Sequence, residues 1–165
     1  MATDYWKLCE TGLITLLRTE LSSYYSEPTK QVTASDDSYL DSGFDYFAIT
    51  YPGAFPQSEV TSGYIRYNWE ILLDVITRWK TSESKAWNEN GFKAYRGDLI
   101  YLLNHTQKGM NLGKTNFVLS AVLSSEDRPN YIPVRGMEDS NMVIYSHIRQ
   151  VCIVTVDQKV PRESL

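Results

Sequence analysis

The sequence predicts an α+β fold, an antiparallel or mixed β-sheet packed by two α-helices, and three observations lead there. The first is the run from Gly63 to Lys80. Ile65, Tyr67, Trp69, Ile71, Leu73, Val75 and Trp79 take alternate positions, broken only at Thr77, while Tyr64, Arg66, Asn68, Glu70, Asp74 and Arg78 fall between them. A period of two sets one apolar row against a core and one polar row away from it, as in a strand covered on one face. Helical spacing also fits Ile65, Trp69, Leu72, Leu73 and Ile76, but the alternation spans the whole stretch and its β-branched and aromatic content favours a strand. A strand so long outruns most sheets and is expected to protrude or bend. The second observation is a helical period from Asp4 to Tyr25, and the third is another alternating run from Met142 to Val160.

In chain order, Trp6, Cys9, Leu13, Leu16, Leu17, Leu21 and Tyr24 recur at three- and four-residue steps, with Lys7, Glu10, Arg18 and Ser22 assigned to the opposite side. Asp4 suits the positive end of this helix, and Pro28 marks where it must be over. Residues 27–43 read as a long polar loop, a length that in compact domains usually carries function. Phe44 to Tyr51 is a predicted strand stopped by Pro52-Gly53 and Pro56, and it can pair with the long strand through an irregular turn. Thr81, Ser82 and Glu83 signal a second helix whose apolar side holds Trp87, Phe92, Tyr95, Leu99, Leu102 and Leu103; it ends near His105, with Gly109 offered for its C-terminal turn. Phe117 to Leu123 is a short strand, followed by a turn from Ser124 to Asn130. In the final run the apolar row is Met142, Ile144, Ile148, Cys152, Val154 and Val156, opposed by His147, Arg149, Thr155, Asp157 and Lys159. Nothing divides the chain, so residues 1–165 are read as one domain.

Composition narrows the function. The 165 residues, 42% of them hydrophobic, suffice for one core. A net charge of −4 argues against wrapping nucleic acid through a basic surface, because neutralising phosphates needs clustered Lys and Arg. Residues 1–80 carry 6 basic and 11 acidic side chains and residues 81–165 carry 10 and 9, so the acidity lies in the first half. The 12 tyrosines suit contact surfaces as well as core edges. No signal-peptide pattern opens the sequence and no apolar run approaches membrane-spanning length, so the expectation is a soluble protein made in a cytoplasm, with no membrane partner. Cys9 and Cys152 fall within apolar rows and read as buried thiols.

No catalytic, cofactor or metal residues are assigned. Gly109 to Thr115, GMNLGKT, has three residues between its glycines where a phosphate loop needs four, and a helix precedes it where a strand should. His105 and His147 lack partners at metal-ligand spacing, and no GxSxG surrounds a serine. Tyr64-Ile65-Arg66-Tyr67 interleaves rings with a cation as single-strand binders do, but its surroundings are not basic. Arg66, Glu70, Asp74 and Arg78 form, on the strand reading, a row of opposite charges that can set register between identical subunits.

An N-terminal helix, a long loop, a strand ending in WEILLDVITRW, a helix carrying RGDLIYLL and a closing strand IRQVCIVTV together resemble the tail terminator and tail-completion family of tailed bacteriophages. The resemblance covers most of the chain and rests on element order. It implies a non-enzymatic virion protein that caps the tail tube as a ring of copies, usually a hexamer, stops tail polymerisation, and meets the tail tube protein and a neck or head–tail connector protein. It also implies a loop toward the channel, here carrying Asp36, Asp37 and Asp41, whose charge would let DNA slide past without specific binding. The long segment after Ser124 departs from the family pattern, so a neck or head-completion protein of the same fold is the alternative. A small ligand-binding or enzymatic domain, with residues 27–43 as a lid, comes third.

Overall fold

The computed structural model describes residues 4–35, 43–54, 56–61, 63–80, 91–113, 118–126, 130–133 and 143–159. Helix α1 (Tyr5–Glu20) starts at Asp4, which is its N-cap: the carboxylate accepts the Lys7 N–H at 3.0 Å. A single 3₁₀ turn (Ser22–Tyr24) follows. The expectation of a loop over 27–43 needs correction at its start, while residues 36–42 lie outside the described residues. Pro28 sits in the first turn of a short helix, α2 (Pro28–Gln31), where its fixed φ and missing N–H cost nothing, and strand β1 (Val32–Ala34) follows with Val32 fully buried. Apolar content here is sparse, and one inward Val at a sheet edge is enough to place the strand.

Strand β2 (Tyr46–Pro52) pairs parallel with β1, and β3 (Gln57–Thr61) is a strand where the sequence offered only a lead-in. The alternating run is strand β4 (Tyr64–Lys80), unbroken over 17 residues. Helix α3 (Lys93–His105) ends where expected, but Gly109 does not close it. A second short helix, α4 (Gln107–Met110), intervenes, capped by the Thr106 hydroxyl, which accepts the Gly109 N–H at 3.0 Å. Strands β5 (Val118–Glu126), β6 (Asn130–Pro133) and β7 (Val143–Lys159) complete the chain. The helix signal at Thr81 to Glu83 and Trp87 lies outside the described residues.

Among the described residues the strands form one mixed sheet in the order β1-β2-β4-β7-β5, with β3 also on β4 and β6 also on β7. β4 and β7 pair antiparallel along their whole length, from Tyr64↔Lys159 to Lys80↔Val143. On the other edge of β4, β2 takes the inner half and β3 the outer half, with the expected antiparallel pairing of β2 borne out. The chain passes from one to the other at Gly53, whose N–H reaches the Glu70 carbonyl at 3.1 Å. A Cβ there would lie 2.7 Å from that oxygen, so only glycine lets the two backbones approach so closely.

The odd-numbered row of β4 faces both helices. Ile71, Leu73 and Val75 are fully buried with Cys9, Leu13 and Leu17 of α1, Tyr95, Leu99 and Leu103 of α3, and Cys152 and Val154 of β7. Both thiols are free and buried, as read from the sequence, and burial pushes each up to about 12. Glu10 corrects the helix assignment: it is 8% exposed, and its carboxylate accepts the buried Thr50 hydroxyl of β2 at 2.7 Å. Tyr25 and Tyr95 hydroxyls meet at 2.7 Å, and Tyr95 donates on to the Phe47 carbonyl at 3.1 Å, tying the exit of α1, α3 and β2 together. Burial raises both phenols well above their ordinary range, so the chain of hydrogen bonds stays protonated.

Two glycines on the α3–α4 unit test this packing. A Cβ on Gly109 would fall 1.9 Å from the Leu102 carbonyl oxygen, so Gly109→Ala is expected to lower stability by about 1–3 kcal/mol. Gly97, within α3, has open space around it, and Gly97→Ala is expected to raise stability by about 0.5–1 kcal/mol. Urea unfolding of the two variants beside the parent reads both signs.

Candidate functional site: the charged face of the long strand pair

The even-numbered row of β4 points away from α1 and α3. Arg66, Glu70, Asp74 and Arg78 therefore share one face, as the alternation requires. The antiparallel register brings β7 residues opposite them: Asp157 beside Arg66, Thr155 beside Asn68, Arg149 beside Asp74 and Tyr145 beside Arg78.

Each of the four has a partner within the chain. Arg66 donates in a fork to Asp157, at 2.8 and 3.0 Å. The Glu70 carboxylate accepts the Ala54 N–H at 3.0 Å, which fixes the chain just beyond Gly53. Arg78 reaches Asp45, ahead of β2, at 3.1 Å. Asp74 is the centre of the face. It is 4% exposed and accepts Arg149 in a fork at 2.7 and 2.9 Å. His147 Nε2 lies 3.1 Å from Oδ2, an oxygen that Arg149 also reaches, without the alignment of a well-formed hydrogen bond, and the contact is an ion pair only when the ring is protonated. The Arg149 guanidinium also lies over the Tyr51 ring, 5.5 Å from its centroid.

Electrostatics follow from this geometry. Burial by itself would raise the Asp74 carboxyl, but His147 and Arg149 outweigh it and hold the group below the usual carboxylate range. Asp157 is likewise lowered, chiefly by its hydrogen bonds from Arg66. Next to Asp74 lies a second apolar cluster, Phe47, Ile49, Ile76 and Tyr145, each 1–2% exposed, so this face is charged toward the β3 end and partly apolar toward the Arg78 end.

The sequence row Arg66, Glu70, Asp74 and Arg78 is thus brought together, and its partners Asp45, Arg149, His147 and Asp157 were not assigned to it. Which β7 residue meets which β4 residue depends on register, and neither strand carries register alone. Asp36, Asp37 and Asp41 lie outside the described residues. His105 ends α3 stacked on Tyr101, 5.8 Å between centroids. Among the described residues no group of three His, Cys, Asp or Glu is placed to hold a metal ion. In GMNLGKT the described residues Gly109 to Gly113 follow helix α3 and belong to α4 and its C-terminal turn, not to a phosphate loop.

A groove of about 470 Å³ lies between α1 and the turn after α4, lined by Leu8, Thr11, Thr15, Leu16, Lys108 and Leu112 among others. Lys108 pairs with Glu20 at its rim at 2.9 Å. None of its described lining residues comes from 27–43, the segment read as a lid, of which residues 36–42 lie outside the described residues. No helix among the described residues is long and apolar enough to cross a membrane. Compared with protein-family models and with curated proteins, the chain matches none.

Asp74→Asn keeps the shape and removes the charge, leaving Arg149 and His147 without their anion. A loss of about 1–3 kcal/mol at neutral pH is expected. Because the folded-state pKa of Asp74 is lowered, its contribution is full above the unfolded value of about 3.9 and disappears as pH falls through the lower folded value. Urea unfolding of parent and variant from neutral pH downward should show the gap closing only below about pH 4.

Proposed function

We propose that the chain is a structural virion protein that caps a phage tail tube as a ring, stops its polymerisation and joins tail to neck or head, acting through assembly and without catalysis. The observation that carries this reading is the pairing of β4 with β7: a long ladder with both helices on one face and rows of fixed charge on the other. Such a surface gives a neighbouring subunit a rigid, register-specific pattern to read, and heterologous contacts of this kind close into rings. The order of an N-terminal helix, a long strand, a second helix and a long closing strand supports it as well. Within the ring, Arg66, Glu70, Asp74 and Arg78 are assigned to the subunit contact. Asp74 acts there through Arg149, which it orients and which is 40% exposed at its side chain. No cofactor is required. The partners are other copies of the chain, the tube protein and a neck or connector protein.

Negative-stain images and light scattering of the purified chain, alone and with tail tubes, test the ring. Annuli of about six copies of the 19.0 kDa chain are the expected result. Monomers at high concentration that also leave tubes uncapped would sink the proposal. In the assembled particle, Asp36, Asp37 and Asp41 are assigned to the channel wall. Replacing all three with Lys is expected to slow DNA passage, read as a fall in ejection and infectivity with assembly intact.

A further inference from the structure

A sheet edge invites pairing with another chain unless something blunts it, and the outer strands of this sheet differ sharply in that respect. β1 has only three residues, and the Arg18 guanidinium donates to its Val32 carbonyl at 2.7 and 3.1 Å. β5 has its ladder broken by register shifts beside Val118 and Leu123. The Asn104 side chain also occupies the Leu123 backbone, accepting its N–H at 2.8 Å and donating to its carbonyl at 3.5 Å. β6 is four residues long and ends in Pro133, which has no N–H to offer. Among the described residues, β3 has none of these devices. Gln57, Ser58, Glu59 and Val60 are all exposed, and Val60 is 79% exposed, the most open large apolar side chain among the described residues. Thr61 pairs with Tyr64 across two residues, so the alternation of an antiparallel ladder turns the backbone N–H and C=O of Ser58 and Val60 outward.

Charge specifies what the edge would accept. Glu59, Arg66 and Asp157 stand in register across β3, β4 and β7, an acid–base–acid row. Arg66 commits its fork to Asp157 and feels Glu59 only as a weaker charge alongside, so the Glu59 carboxylate is not held by that fork. The next strand in this row should therefore bring a cation. Two copies joined β3 to β3 about Glu59 would instead set carboxylate against carboxylate, which is destabilising between directly opposed strands.

We propose that the outer edge of β3 is a docking strand for an extended segment of a partner protein, one that places a basic side chain beside Glu59 and an apolar one beside Val60. Main-chain hydrogen bonds would supply affinity, and the alternating side chains would supply register. Docking at β3 does not require a ring, so failure of either idea leaves the other standing.

The test uses the full chain and a labelled synthetic peptide of about seven residues alternating Val and Lys, followed by fluorescence anisotropy at low salt. Saturable binding is expected. Glu59→Lys should weaken it about tenfold or more, and Val60→Pro, which removes an outward N–H, should abolish it. A peptide with Glu in place of Lys, or with Pro at its centre, should not bind. Circular dichroism confirms that each variant folds, and Glu59→Lys keeps the question answerable if Val60→Pro does not. Equal binding by Glu59→Lys, equal binding of the proline-interrupted peptide, or no saturation at millimolar peptide would overturn the proposal. So would self-association of the parent that Val60→Pro abolishes while the peptide fails to bind, because the edge would then belong to a second copy.

Discussion

The pairing of β4 with β7 is the constraint on which everything else in this protein rests. Residues 64–80 and 143–159 meet in one uninterrupted antiparallel register, and among the described residues every other strand attaches to one of these two, except β1, which attaches through β2. Because side chains alternate along both strands, the register decides two faces at once. It aligns Ile71 with Cys152 and Val75 with Ile148 under the helices, and on the other face it aligns Asp74 with Arg149 and Arg66 with Asp157. A slip of one residue would turn the apolar rows outward and bury the charges, so the ion pairs and the core enforce the same alignment.

Polar groups sit inside this frame where they lock elements to each other. Glu10 ties α1 to β2 through Thr50, and the Tyr25, Tyr95 and Phe47 chain ties the end of α1 to α3 and β2. Tyr24 adds a hydroxyl contact to Asp98 at the edge of the same ring cluster, where Tyr24, Tyr46 and Tyr95 stack edge to face or at a tilt. Aromatic rings with polar tips fill the boundary between helices and sheet, satisfying hydrogen bonds that an aliphatic core would leave open. The abundance of tyrosine noted in the sequence is in part internal mortar.

Much of the fold is legible in the sequence because periodicity is a local signal. The alternation in β4 and β7, the apolar stripe of α1 and the end of α3 at His105 can all be read residue by residue. What escapes is whatever depends on a distant partner. Glu10 looks like a surface residue until Thr50, 40 positions away, supplies its hydrogen bond. Val32 looks like one apolar residue in a polar segment until β2 lies beside it. Gly109 looks like a helix stop, and only the nearness of the Leu102 carbonyl explains why no side chain fits. The charged row was visible as a row, but its meaning as a set of closed pairs required Asp45, Arg149 and Asp157 to be placed against it.

The passage at Gly53 divides β4 into two dissimilar halves. Its inner half, opposite β2, lies beneath both helices, whereas its outer half is flanked by β3 and by the end of β7. Of the main core, the register of the outer half holds Val156 and its neighbour Val118, whereas Ile71, Leu73 and Val75, buried together with α1 and α3, belong to the inner half. The cost of local opening is therefore graded along a single continuous strand, and the molecule combines a firm base with a more compliant tip without an interdomain linker.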